Sequence, residues 1–242
     1  LLVLVGVTGV GKSTTLKALA EIGHSVTLLP DRRALTDDLI IATLQREDGL
    51  PPQPVTDRVQ RFDYTRRYRE RYPGGMAHAL TQLRVAPSQT DDPLCFDGLR
   101  GAEEVRYAAA HLPLARFLVL DAPDRLRVER LLGRADSFDR IESKGSGPTL
   151  SAGTLDLPGI DELFSAEDQH ALLSLVERGE VTIEDLRAKL TIVIAERRNY
   201  DPTAAIEELQ RTAPDRTLVI DTALHRPAEV ARQIVAFWRG DD

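Results

Sequence analysis

The chain has 242 residues, 42% of them hydrophobic and 29% charged, with a formal net charge of −7 at pH 7. That length and composition suit one sizeable soluble α/β domain (1–242) carrying inserted segments. The negative balance argues against coating nucleic acid by bulk electrostatics and leaves open a local basic groove. A single cysteine, Cys95, excludes an internal disulfide framework and any four-cysteine metal cluster, and its apolar surroundings mark it as a core residue.

No apolar run approaches the roughly 18 residues that cross a membrane, so no membrane partner is expected. The opening "LLVLV" is too short for a signal-peptide core and has no basic residues before it, which points to a cytoplasmic protein. The first residue is Leu1, not Met, as expected where numbering starts within a longer chain.

In chain order, "LLVLV" (1–5) reads as a strand, and "GVTGVGKSTT" (6–15) follows it directly. Gly6, four residues, Gly11, Lys12 and Ser13 form the full phosphate-binding signature. Behind it, Leu16, Leu19, Ala20 and Gly23 recur at helical spacing. Glycines let the backbone curl so that its N–H groups converge on phosphate oxygens at a helix N-terminus. The nucleotide-binding candidates are Gly6, Thr8, Gly9, Gly11, Lys12, Ser13 and Thr14. Lys12 is expected to bridge the β- and γ-phosphates of ATP, and the Ser13 hydroxyl to ligate Mg²⁺.

A second strand is predicted at 25–29. Residues 31–92 separate it from the third strand, are helical in part, and are expected to hold the acceptor. Arg32 and Arg33 in "LLPDRRALTDD" stand at the rim where strands end, as does Arg100, and a planar fork suits phosphate oxygens. The alternative for each is a salt bridge to Asp31, Asp37 or Glu103. "EDGLPPQPVTD" (47–57) is a turn-rich connector. "DRVQRFDYTRRYRERY" (57–72) holds six Arg and four aromatics, with Tyr64, Tyr68 and Tyr72 on one helical stripe. Such a stripe reads first as core contacts, and second as a stacking platform for a base or strand end.

The third strand, "LCFD" (94–97), ends on Asp97, the second candidate metal ligand. Gly98 follows where a hydrolytic motor carries a glutamate that positions water, which favours transfer over hydrolysis. A guanine-reading Asn-Lys-x-Asp segment is absent from the sequence. Helix 102–111, strand 116–121 and helix 124–133 come next. Arg127, Arg130 and Arg134, spaced three then four, share one helical face. The Gly/Ser/Pro-rich stretch from 143 opens an expected lid spanning 135–180. Helices at 165–178, 182–198 and 203–212, a strand at 217–221 and a helix at 227–238 complete the chain. Strands alternating with helices predict a mostly parallel five-stranded sheet, with its ligand beyond the strands' carboxyl ends.

The order of phosphate loop, insertion, "DGLR", "VERLLGR" and late "LVIDT" before a last helix resembles the nucleoside monophosphate kinase group, adenylate kinases especially. "DGLRGAEEV" is also similar to dephospho-coenzyme A kinase-like proteins. The resemblance implies a P-loop kinase fold with a helical acceptor-binding insertion and an arginine-bearing lid. It implies ATP and Mg²⁺ as cofactors, catalytic roles for Lys12, Arg130 and Arg134, and acceptor binding by Arg32, Arg33 or Arg100. The expected partner is a small phosphate acceptor, a nucleotide or nucleoside first. A nucleic-acid 5′ end, a coenzyme precursor, and a non-catalytic ATP-dependent binding module remain alternatives.

Overall fold

The computed structural model describes residues 1–84, 92–133 and 155–240. The end of the expected acceptor insertion (85–91), Arg134 and most of the Gly/Ser/Pro-rich lid stretch lie outside the described residues. The chain divides into two compact units: Leu1–Val7, Gly11–Asp121 and Tyr200–Asp242 form the first, and Thr8–Val10 with Ala122–Asn199 form the second.

The first unit is built on a five-stranded sheet: β1 (Leu2–Val5), β2 (Thr27–Leu28), β3 (Leu94–Leu99), β4 (Arg116–Asp121) and β5 (Thr217–Asp221). Their spatial order is β2-β3-β1-β4-β5, and every pairing is parallel. All four residues of β1 are buried, as a central strand with helices on its sheet requires. The α/β architecture with a parallel five-stranded sheet flanked by helices is the one predicted.

Two strand lengths differ from expectation, for opposite reasons. The second strand shrinks from 25–29 to two residues because it is an edge with one neighbour, paired only through Thr27 to Leu94 and Leu28 to Cys95. The third lengthens to Leu99 through a bulge. Leu4 pairs with Asp97 but Val5 pairs with Leu99, so Gly98 is the extra residue.

Helix α1 (Lys12–Glu21) follows the glycine-rich loop after β1 and packs with the last helix, α12 (Pro227–Arg239). Between β2 and β3, helices α2 (Arg32–Leu35) and α3 (Ala42–Glu47) run on either side of a π-helical turn, Thr36–Ile41. Helices α4 (Arg58–Arg71) and α5 (Met76–Gln82) follow, joined to α3 by the expected connector. Tyr68 is 2% exposed and belongs to the main core, which also holds Val3, Phe96 and Phe117, and the half-buried Tyr64 and Tyr72 pack against that core. The tyrosine stripe is therefore a core contact. Helices α6 (Ala102–His111) and α11 (Pro202–Thr212) pack together in the same unit. Cys95 is buried in β3, and its thiol is pushed up to about 12 by burial and by Asp97.

The second unit contains α7 (Asp124–Leu132), α8 (Ile160–Leu163), α9 (Ala166–Glu177) and α10 (Ile183–Asn199). It has a core of its own, shared by Val128 and Leu131 of α7 with Ile160, Phe164, Leu172, Leu186, Leu190 and Val193. Helix α9 starts with a reciprocal cap, in which Ser165 accepts from the Asp168 N–H and Asp168 accepts from the Ser165 N–H. Leu190 is fully buried here. Truncating it to Ala removes packing and leaves a cavity, an expected loss of about 2–5 kcal/mol in urea unfolding monitored on this unit by amide exchange. Unchanged protection of α7 and α10 in Leu190→Ala would contradict a cohesive second core.

Candidate phosphate-loop site

The loop from Gly6 to Ser13 follows β1 and enters α1. Gly9 (φ 88) and Gly11 (φ 99) adopt left-handed backbone that side chains resist. Gly9 is also constrained by space: a Cβ there would lie 3.0 Å from both Cβ and the carbonyl oxygen of Arg127. Helix α1 begins at Lys12 without a side-chain cap and without an acidic residue in its first turn. Its N-terminal amides and dipole therefore suit an anion. Ser13 and Thr14 are exposed in that turn.

Within the first unit, Lys12 Nζ donates to the carbonyl oxygens of Gly6 (2.7 Å) and Val7 (3.2 Å). It also stands 3.5 Å from Asp97 Oδ1. That carboxylate oxygen is buried and accepts no hydrogen bond among the described residues. An ammonium resting on its own loop's carbonyls, beside a carboxylate oxygen with accepting capacity left over, fits a triphosphate that arrives with a divalent cation.

The geometry of Asp97 depends on the β3 bulge. A Cβ on Gly98 would meet the ring of Phe96 at 2.5 Å, so no larger residue fits without displacing a fully buried side chain. The Gly98 carbonyl accepts from Arg32 Nη1 at 2.6 Å. Arg32 also forks onto Glu104, with Nη1 to Oε2 at 2.8 Å and Nη2 to Oε1 at 2.6 Å, and Nη2 reaches Tyr200 Oη at 3.3 Å. Burial works against the Arg32 charge, but Glu104 and Tyr200 hold the guanidinium above its ordinary range. Glu104 Oε2 accepts in addition from the Arg100 N–H at 3.1 Å, and the Arg100 guanidinium lies 5.8 Å from the centre of the Tyr200 ring. Arg32 and Arg100 are thus brought together around Glu104 and Tyr200, and Arg33 stands exposed on α2. The partner of Arg32 is Glu104, not Asp31, Asp37 or Glu103.

The loop's central turn, Thr8–Val10, belongs with the second unit, and its contacts there were not expected from the sequence. Glu196 of α10 accepts from the Thr8 N–H at 2.9 Å through Oε2 and from the Thr8 hydroxyl at 2.6 Å through Oε1. Arg127, fully buried, donates Nε to the Thr8 carbonyl at 2.8 Å, Nη1 to Asp124 at 2.5 Å and Nη2 to Glu196 at 2.7 Å. Arg197 Nε donates to both carboxylate oxygens of Asp124, at 3.1 and 2.8 Å. Arg130 Nη1 reaches the Gly9 carbonyl at 3.3 Å. Spacing placed Arg127 and Arg130 on one face of α7, and both do meet the loop. Arg127 contributes structure there, since carboxylates and a carbonyl take each of its nitrogens.

Glu196 had one sequence signal. Leu186, Leu190 and Val193 mark the apolar face of α10, and Glu196 continues it three residues on, where a carboxylate needs a partner.

No family model matches the chain, and no curated protein matches it. Solved structures similar to it include a sugar kinase from Janibacter sp. at 16% identity, covering 98% of this chain and 93% of that one, with a TM-score of 0.39. A shikimate kinase from Acinetobacter baumannii, bound to shikimate, is 14% identical, with 100% and 93% covered and a TM-score of 0.41. A gluconokinase from Sinorhizobium meliloti is 15% identical, with 99% and 91% covered and a TM-score of 0.42. At identities and scores this low, the activities of those proteins do not transfer to this chain.

The bulge gives a direct check. Gly98→Ala forces its new methyl into Phe96, and overpacking of a full core costs about 1–3 kcal/mol. Denaturant unfolding of the variant reads that loss, and a variant as stable as the parent would show that Phe96 yields freely.

Proposed function

We propose that the chain is a phosphotransferase that moves the γ-phosphoryl group of Mg·ATP to a small acceptor, with a nucleotide or nucleoside as the first candidate. The observation that supports it most is the placement of Lys12 between the loop carbonyls and Asp97, at the uncapped start of α1. In the reaction, an acceptor oxygen forms the new bond to the γ-phosphorus while the bond to the β,γ-bridging oxygen breaks, leaving ADP. A proton on an acceptor hydroxyl passes to solvent or a nearby carboxylate.

Charge spreads over the transferring oxygens in such a step, and fixed cations aimed at them do most of the work. Lys12 is the proposed cation at the β- and γ-phosphates. The backbone amides of Gly9, Gly11, Lys12 and Ser13 are the proposed cradle, with Gly6, Thr8 and Thr14 completing the binding segment. Magnesium would be held by Ser13 Oγ and Asp97 and would supply positive charge to the phosphate oxygens. Arg130 and Arg134 are the further proposed catalytic cations, with Arg134 outside the described residues. Arg33 and Arg100 are proposed to orient the acceptor. For Arg32 the fork onto Glu104 supports a role in fixing that rim, in addition to the acceptor contact expected from its position.

Gly98 occupies the place after Asp97 where a water-positioning glutamate would stand, which supports transfer over hydrolysis. ADP formation should therefore be slow with ATP alone and rise on adding the right member of a panel of nucleotides, nucleosides, coenzyme precursors, oligonucleotides and polyols. Fast ATP turnover that no acceptor changes would replace the kinase with an ATPase. ATP binding without turnover under any acceptor would leave a binding module. Lys12→Ala should raise the transfer barrier by about 2–4 kcal/mol, judged from the loss of comparable electrostatic donors, and weaken ATP binding less. Near-normal acceptor-dependent turnover in Lys12→Ala would remove the central role assigned to that side chain.

A further inference from the structure

We infer that Glu196 is a positioning residue of the phosphate loop, one that sets the Thr8–Val10 turn from α10; the inference rests on the loop's being a nucleotide site. A loop that cradles phosphates must hold its amides in place before the ligand arrives, or binding energy is spent on ordering it. Glycines at φ 88 and 99 permit the curl but do not fix it. Fixing comes from elsewhere, and here it is visible. One carboxylate receives both the N–H and the hydroxyl of Thr8, at 2.9 and 2.6 Å, while Arg127 holds the Thr8 carbonyl at 2.8 Å. Every polar group of Thr8 is thereby engaged by α7 and α10.

A carboxylate beside an anion site should repel the ligand. This one is neutralised where it stands. Among the described residues, Arg127 and Arg197 meet Asp124 and Glu196, two guanidiniums with two carboxylates in one hydrogen-bonded cluster. Its Glu196 carboxylate grips the loop with the Arg127 guanidinium against it. The cluster also explains why the residue is a glutamate. The Thr8 N–H, the Thr8 O–H and Arg127 Nη2 all converge on Glu196. Glutamine offers one accepting oxygen, and its amide nitrogen would confront a donor.

The test uses the whole chain and three variants: Glu196→Gln, Thr8→Val, which removes the hydroxyl and keeps the N–H, and Thr8→Ser, which keeps both. In ¹⁵N-resolved spectra the Thr8 amide, bonded to a carboxylate, should lie downfield in the parent and in Thr8→Ser and move upfield in Glu196→Gln. With Mg²⁺ present, a fluorescent ATP analogue should bind Glu196→Gln about tenfold more weakly than the parent, the size of one charge-assisted hydrogen bond. Thr8→Ser, which keeps the hydroxyl that Glu196 accepts from, should bind the analogue more tightly than Thr8→Val. The Thr8→Val, Glu196→Gln double variant should be no weaker than Glu196→Gln alone, because both changes break one linkage. A Thr8 amide unmoved by Glu196→Gln, or folded variants that bind the analogue like the parent while only their melting temperature falls, would overturn the inference alone. A parent protein that keeps the downfield amide but binds no nucleoside triphosphate would overturn the nucleotide reading, and the positioning role with it.

Discussion

Arg127 carries a full charge with none of its surface in water. Taking such a group out of solvent costs several kcal/mol, and only well-aimed acceptors offset it. Asp124 supplies one from the same helix, one turn back, and Glu196 supplies another from α10. The third is the carbonyl of Thr8. Each acceptor ties Arg127 to something that must then stay put: its own helix, the helix packed beside it, and the turn of the loop. The register of α7 against α10 follows, since a slip of one turn would leave a buried charge facing apolar side chains. The second unit's hydrophobic core, with Val128, Leu131, Leu190 and Val193 from these two helices, gives packing energy to an alignment that the charges specify.

The first unit solves a similar problem around a backbone irregularity. The bulge at Gly98 leaves a carbonyl out of the parallel ladder, and Arg32 takes it up. Glu104 then neutralises Arg32 with a two-pronged contact and holds the backbone of Arg100 with the same carboxylate. Asp97, immediately before the bulge, inherits its orientation from this arrangement. In both units an arginine bonded to backbone carbonyl and carboxylate shapes a segment beside the proposed chemistry. Guanidinium suits the task because its planar fork satisfies several acceptors at fixed angles, which an ammonium cannot do.

This pattern marks the limit of what the sequence discloses. The strands were legible as apolar runs, and α6, α7 and α12 as periodic segments, because those signals are local. The Gly6–Ser13 turn between β1 and α1 was legible for the same reason, all its parts lying within eight residues. Tyr68 was legible as core from its spacing alone. By contrast, Thr8 and Glu196 are 188 positions apart, and Arg32 and Glu104 are 72 apart. No periodicity joins such pairs. Spacing gave the face of α7 that bears Arg127 and Arg130, but it could not say that α10 would cover the first with a carboxylate. The edge strand was overestimated because its residues suit a strand that has only one neighbour to pair with.

For a chain of net charge −7, the proposed anion site would stand against the overall field. Charges elsewhere are paired where they are structural. Among the described residues, Asp124 and Glu196 are met by Arg127 and Arg197, and Glu104 by Arg32. Lys12 is paired too, with Asp97, but at a longer distance. Its ammonium meets neutral carbonyl oxygens at hydrogen-bond distance, while the Asp97 carboxylate oxygen stands farther off at 3.5 Å. The start of α1 adds its amides and the positive end of the helix dipole, with no acidic side chain to cancel them. Phosphate oxygens reaching this place can replace the carbonyl contacts of Lys12 with stronger, charge-assisted ones.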